Sequence, residues 1–276
     1  VVSGLGNGVR RLSELNMILA AVLMGFVLLV GPTLFILDSF VQTTGYYLAS
    51  LPTLSLWTET FQEGDWQHGW TVFYWGWWVS WSPFVGIFIA RVSKGRTVRE
   101  FIFGVLLLPS ALTFLWMSVF GGTAMNMELG ALSGVIGDAV AENVSTALFV
   151  MLDQLPLTAI TSFVGIVLVV VFFVTSSASG SLVVDSLTSG GKLESPVPQR
   201  GFWAVMEGVG AAALLRGGGL SALQTASITT GLPFTIVLLI MCYSIYKGLS
   251  YEHDVVIASK KLRSTEAAMP DEAFVK

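Results

Sequence analysis

Residues 75–84 read WGWWVSWSPF and place four tryptophans within an otherwise apolar stretch of ten residues. On a helix, Trp77 and Trp81 are four residues apart and share a face, with Trp78 beside them. A tryptophan ring attracts a cation to its π face, and a methylated ammonium ion is bulky, poorly hydrated and unable to donate hydrogen bonds. The spacing therefore favours an aromatic cage for a quaternary ammonium ion.

These tryptophans have a second interpretation. Membrane proteins concentrate tryptophan at the level of the lipid headgroups, and an ordinary aromatic belt would have a similar composition. Ser80 and Pro83 weigh against that interpretation. A proline within a membrane helix frees backbone carbonyls that need new partners, and it is typical of helices that are broken near a binding site.

The composition indicates an integral membrane protein. Hydrophobic residues make up 54% of the 276 positions and charged residues only 12%, whereas soluble domains have about 25% charged residues. The mean hydropathy is +0.75. The chain is therefore expected to have the lipid bilayer as its environment and no nucleic-acid partner.

The residue types needed for catalysis are scarce. His68 and His253 lie far apart without metal-ligand spacing, and Cys242 is the single cysteine. Glu207 is the main ionisable candidate within the membrane, and it has no histidine partner nearby in sequence. The sequence therefore predicts no enzyme, no organic cofactor and no metal centre apart from an alkali-ion site.

A membrane-spanning helix needs about 20 apolar residues. The apolar segments predict six spans, at residues 15–37, 70–90, 101–120, 157–182, 202–215 and 232–249. Residues 46–61 mix tyrosine, leucine and tryptophan with polar positions and predict a helix lying in the membrane interface. Residues 1–250 would form the transmembrane domain and residues 251–276 a cytoplasmic tail.

The basic residues predict the orientation. With the N-terminal end of the chain inside, thirteen of the fourteen lysines and arginines, all except Arg216, lie on the cytoplasmic side. Positive charge is enriched in the cytoplasmic loops of membrane proteins. We therefore expect both the N-terminal end and the C-terminal tail of this chain to be cytoplasmic.

Residues 172–181, FFVTSSASGS, are rich in hydroxyls at a depth where polar groups are uncommon. Small hydroxylated residues often mediate helix packing in membranes. The functional alternative is an alkali-ion site, in which Thr175 and Ser176 supply oxygens beside carbonyls freed by a locally unwound helix. Neutral oxygens suit a monovalent ion that is bound and released in each cycle.

The chain closely resembles the betaine/choline/carnitine transporter family. The resemblance is carried by residues 69–110, GWTVFYWGWWVSWSPFVGIFIARVSKGRTVREFIFGVLLLPS, by FGGTA at 120–124 and by VTSSASGSLVVDSL at 174–187. It implies a leucine-transporter-like fold of two inverted five-helix repeats. This chain resembles the C-terminal half, with the last helix of the first repeat and all of the second repeat.

The resemblance also assigns roles to individual residues. Trp78 would belong to the central ammonium box, with Trp77 and Trp81 lining the pathway. The residues implied at sodium sites are Phe84, a Phe172 carbonyl and the Thr175 and Ser176 hydroxyls. The family often has an acidic residue where this chain has Ala178, which weakens the cation-coupling assignment.

The expected function is import of glycine betaine or choline by cation-coupled symport across a bacterial inner membrane, in support of osmoprotection. Sodium and a proton both stay open as coupling ions, and family members are often homotrimers. The alternatives are proton-coupled or uncoupled exchange of carnitine or a sulfonium compound, and a membrane scaffold that does not transport.

Overall fold

The protein is all-α in the part that the structure, a computed structural model, describes. This part comprises residues 8–130, 132–192 and 195–267, without the side chains of residues 91–92 and 262–267. The helices, numbered here in chain order, are α1 Arg10–Val30, α2 Thr33–Leu56, α3 Phe73–Val92, α4 Val98–Leu129, α5 Val135–Asp153, α6 Thr158–Thr188 and α7 Val197–Ala267.

Five of the described helices, α1, α4, α5, α6 and α7, are long and apolar enough to cross a membrane. At 1.5 Å per residue, the 31 residues of α6 extend about 46 Å, which exceeds the roughly 30 Å of a bilayer's hydrocarbon core. The expected all-α integral membrane fold is therefore confirmed. The tryptophan-bearing α3, predicted as a span at 70–90, does not belong to these five.

The chain divides into two compact units. The first comprises residues 1–62 and 84–213, and the second comprises residues 63–83 and 214–276. The first unit contains a hydrophobic core contributed by five helices and the short connection after α5. Its buried members are Leu23 and Val27 of α1, Ile36 of α2, Val119 and Phe120 of α4, Ile136, Met151 and Leu152 of α5, Leu155, and Leu168 of α6.

The first predicted span, 15–37, corresponds to α1, but its predicted end is wrong because the chain breaks at Gly31 and Pro32. Pro32 has no N–H to donate to the Leu28 carbonyl, and the Thr33 hydroxyl donates to that carbonyl instead, at 2.7 Å. Gly31 is extended, with φ −76° and ψ −167°. The separate helix α2 begins at Thr33, so the predicted interfacial helix at 46–61 starts too late and also ends five residues too late.

The helix α5 lies between the predicted spans 101–120 and 157–182, in a segment where the sequence predicted no span. It is apolar enough to count as a candidate span, but its buried residues Ile136, Met151 and Leu152 belong to the core of the first unit. These residues pack in that core together with Leu23 and Val27 of α1 and Leu168 of α6.

The fifth and sixth predicted spans lie on two helices that are joined at a kink and are labelled together as α7. The pair begins at Val197, upstream of the predicted start at residue 202, and continues to Ala267, beyond the predicted end at residue 249. The interruption falls at Gly219, where φ is +66° and ψ is −152°. Only glycine adopts this conformation readily. The predicted tail is helical to residue 267, and residues 268–276 lie outside the described part.

Gly31 is also the point where α1 approaches α4. A methyl group at this position would lie 2.5 Å from the Val27 carbonyl oxygen and 3.3 Å from Thr123 Oγ1. We predict that Gly31→Ala lowers the free energy of unfolding by about 1–3 kcal/mol, because the crowded backbone must shift. An SDS titration of the purified protein, followed by circular dichroism, measures this change.

Gly25→Ala is the matched control, since a methyl group there meets nothing within 4 Å. Equal stabilities of the two variants would contradict the assigned role of Gly31.

Candidate substrate and ion sites

The three tryptophans of the predicted cage lie on α3 within the second unit. Trp77 and Trp81 are 42% and 37% exposed, and Trp78 is 65% exposed. The rings of Trp77 and Trp78 meet edge to face, with centroids 6.4 Å apart. The structure therefore places these side chains on one partly exposed side of the helix.

Trp77 belongs to a longer series of aromatic contacts along this segment. It stacks on Phe73 at 6.2 Å and meets Tyr74 edge to face at 5.9 Å. Tyr74 in turn stacks on Trp70, with an interplanar angle of 7°. Aromatic pairs of this kind each contribute about 0.5–1.5 kcal/mol beyond their burial. The series therefore restrains the orientation of the Trp77 ring before any ligand arrives.

Pro83 does not interrupt α3. In a regular helix the residue at position 83 donates to the carbonyl of Val79, which proline cannot do. The Ser82 hydroxyl donates to the Val79 oxygen at 2.8 Å. The carbonyl freed by the proline thus has a local partner, as a membrane environment requires.

At Gly76 the backbone of α3 closely approaches the backbone of α7. A methyl group on Gly76 would lie 3.3 Å from Ile228 Cα of α7, and one on Gly231 would lie 3.0 Å from the Gly76 carbonyl oxygen. Both glycines belong to the second unit. Small residues allow membrane helices to approach closely, because van der Waals packing replaces the hydrophobic effect as the source of association.

A cluster of hydroxyls reinforces this contact one turn further along. Ser80 Oγ lies 2.9 Å from the Gly76 carbonyl oxygen and 2.5 Å from the Ser227 carbonyl oxygen of α7. Thr230 Oγ1 donates to Ser80 Oγ at 3.0 Å. These bonds join α3 to α7 through the polar groups of two otherwise apolar helices.

The packing face and the tryptophan face are distinct sides of α3. Gly76 and Ser80 are four residues apart, and so are Trp77 and Trp81. Because successive residues are about 100° apart around a helix, the two pairs face directions separated by about a quarter turn. The contact with α7 therefore fixes the rotation of α3 and leaves the tryptophans exposed.

The contact with α7 was not predicted from the sequence. Its signal is present, however: a glycine and a serine are separated by three residues at 76 and 80, and a serine and a glycine by three residues at 227 and 231. Two small residues with this spacing are the usual signature of close packing between membrane helices.

The predicted ion-site residues of α6 lie in the first unit. Phe172 and Ser176 are exposed, and Thr175 is half-buried. The Thr175 hydroxyl lies 2.9 Å from the Val171 carbonyl oxygen and 3.0 Å from that of Phe172. Thr175 and Phe172 are thus brought together at one turn of the helix.

The expected local unwinding of this segment is wrong, because α6 is one regular helix from Thr158 to Thr188. Its backbone carbonyls therefore accept helical hydrogen bonds. An ion bound there would be coordinated by the hydroxyl oxygens and by the second lone pairs of these carbonyl oxygens. Ala178, where the family often has an acidic residue, is buried. Phe84 is half-buried on α3, within the first unit but on a different helix from the α6 residues.

Comparison with known proteins identifies the family. Residues 1–254 match the family described as BCCT, betaine/carnitine/choline family transporter. The chain belongs to the BCCT family. It is therefore part of the transporter class and not an enzyme, and it is a multi-pass membrane protein, in agreement with the resemblance found in the sequence.

Individual BCCT relatives are similar over most of this chain. A glycine betaine/proline/choline transporter of Vibrio parahaemolyticus is 54% identical over 252 residues, which cover 91% of this chain and 45% of that protein. The glycine betaine transporter OpuD of Bacillus subtilis is 43% identical over 274 residues, covering 99% of this chain and 53% of OpuD. The chain thus spans about half the length of these relatives.

The glycine contact in the second unit can be tested directly. We predict that Gly231→Ala destabilises the protein by about 1–3 kcal/mol, since its methyl group would press on the backbone of Gly76. Gly248→Ala, on the same helix, meets nothing within 4 Å and should leave stability unchanged. Thermal unfolding in detergent compares the two variants, and a stable Gly231→Ala protein would argue against a tight contact.

Proposed function

We propose that this chain is the C-terminal part of a secondary transporter that imports glycine betaine or choline by cation-coupled symport. Family membership supports transport. The Vibrio relative is named for glycine betaine, proline and choline, and the Bacillus relative for glycine betaine. A transporter of full family length that contains this chain is called the complete transporter below.

The exposed face of Trp77, Trp78 and Trp81 is the observation that carries the substrate assignment. A quaternary ammonium group cannot donate hydrogen bonds, so its recognition depends on π faces and on exclusion from water. The face combines three indole rings whose helix is held by Gly76 and Ser80 on another side. Trp78, the most exposed of the three, is proposed as the central contact of the ammonium group.

The coupling ion is proposed to bind at α6. Thr175 and Ser176 would offer hydroxyl oxygens and Phe172 a carbonyl oxygen, and Phe84 would contribute to a second sodium site. Oxygen donors suit sodium, and the absence of a carboxylate at position 178 favours an ion that is held weakly and released. A proton remains the alternative coupling ion, although no acidic residue of this set would carry it.

The mechanism follows from reciprocal coupling. If substrate and ion each stabilise the same arrangement of the transporter, then each raises the other's affinity by the same factor. Alternating access between the two sides of the membrane then lets an ion gradient drive accumulation of the substrate. We further propose a bacterial inner-membrane location, with both ends of this chain on the cytoplasmic side, and assembly as a homotrimer.

The first test uses the complete transporter in liposomes. Uptake of radiolabelled glycine betaine and choline is measured with an inward sodium gradient, an inward proton gradient, or neither. Saturable uptake under one gradient identifies the coupling ion. Failure of both compounds to accumulate under either gradient would contradict the proposed symport.

Trp78→Leu tests the ammonium site. We expect the KM of the complete transporter for glycine betaine to rise about 2- to 30-fold, which corresponds to a loss of roughly 0.5–2 kcal/mol of cation–π attraction. The matched control is Trp66→Leu, which removes an indole of similar exposure outside this face. An unchanged KM for Trp78→Leu would rule out the assigned contact.

A double substitution of Thr175 and Ser176 by alanine tests the ion site. The sodium concentration for half-maximal uptake should rise about tenfold or more, because two oxygen ligands are lost. Thr188→Ala removes a hydroxyl that is bonded locally to Val184 on the same helix and should have no such effect. If the sodium dependence of both variants equals that of the parent, the hydroxyls serve helix packing instead.

A further inference from the structure

A second polar feature lies within the first unit, between α6 and the first part of α7. A cavity of about 350 Å³ is lined by Ser181 and Val184 of α6 and by Trp203, Met206 and Glu207 of α7. Glu207 is ten residues beyond the start of α7, or about 15 Å along the helix axis. Glu207 itself is exposed, so its carboxyl group is accessible to a ligand.

Glu207 is held by a single polar partner. The Ser181 hydroxyl, which is only 1% exposed as a residue, donates a hydrogen bond to Glu207 Oε2. The ion pairs found among the described side chains join Arg10 to Glu14 and His253 to Asp254, and none includes Glu207. Carboxylates in membrane helices usually pair with a countercharge, so Glu207 is a candidate partner for a bound cation.

The surrounding side chains favour an organic cation. Trp203 precedes Glu207 by four residues, which places its indole on the same side of α7. Val184 and Met206 add apolar surface to the wall. An anionic group, an aromatic face and apolar walls together match a methylated ammonium ion, whose charge attracts the carboxylate and the ring while its methyl groups contact the rest.

We propose that the Glu207–Trp203 cavity binds a methylated ammonium monocation, such as choline, at a site separate from the tryptophan face of α3. A zwitterion such as glycine betaine fits poorly, since its own carboxylate would lie close to Glu207. Sodium also fits poorly, because among the described residues that line the cavity only Glu207 and Ser181 have side-chain oxygens, and hard cations take several oxygen ligands. The cavity thus discriminates a net cation from a zwitterion.

The proposal can be tested by carbodiimide labelling of the complete transporter. Dicyclohexylcarbodiimide modifies protonated carboxyl groups in apolar surroundings, and peptide mass spectrometry locates the product. Choline and tetramethylammonium should protect Glu207 from labelling, whereas glycine betaine at the same concentration should not. Glu207→Gln should lose the labelled peptide.

Two aromatic variants on α7 separate the cavity from its surroundings. Trp203→Leu should raise the choline concentration for half-protection by about 3- to 30-fold, the range expected for a lost cation–π contact. Phe202→Leu changes the neighbouring ring, which does not line the cavity, and should leave this concentration within about twofold. Trp78→Leu should also retain protection, so that failure of the transport proposal can be distinguished from failure of this one.

Several results would overturn the proposal. Equal protection by glycine betaine and choline would contradict discrimination by charge, and protection by sodium alone would indicate an alkali-ion site. Labelling that responds to pH but to no onium ion would indicate a proton site. If Glu207 resists labelling altogether, binding of radiolabelled choline decides: the Glu207→Gln protein must bind one equivalent less than the parent, and equal binding refutes the site.

Discussion

The contact between Gly76 and Gly231 is the constraint on which the candidate substrate face depends. Membrane helices do not gain hydrophobic energy by leaving lipid, so α3 and α7 need close packing and satisfied polar groups to associate. The two glycines allow the approach, and Ser80 adds hydrogen bonds to α7 at the same level. With that side of α3 occupied, the indoles of Trp77, Trp78 and Trp81 are directed elsewhere.

Two prolines show how the chain tolerates breaks in its helical bonding. Pro32 ends α1, and Pro83 lies within an unbroken α3. In both places a neighbouring hydroxyl, from Thr33 or Ser82, donates to the carbonyl that the proline leaves free. The different outcomes follow from the residue before each proline, because Gly31 is extended whereas Ser82 remains helical.

The polar groups of α6 have two different environments. Thr175 bonds to carbonyls of its own helix and retains lone pairs toward its surroundings. Ser181 is buried and directs its proton to Glu207 of α7. A single hydroxyl-rich segment thus supplies both a candidate ligand set for a small ion and a fixed partner for a carboxylate. The two roles are separated by under two turns of helix.

The sequence alone determined the membrane environment, the helical class, the family and the candidate residues, because apolar length and the WGWWVSWSPF pattern are local properties. One span was misplaced at Gly31, where a single backbone conformation decides between one helix and two. Only the tertiary structure decided which sides of α3 and α6 are occupied and that Ser181 meets Glu207. These facts depend on contacts between residues far apart in the chain, such as Ser80 with Ser227, and spacing within one segment carries no information about its partner.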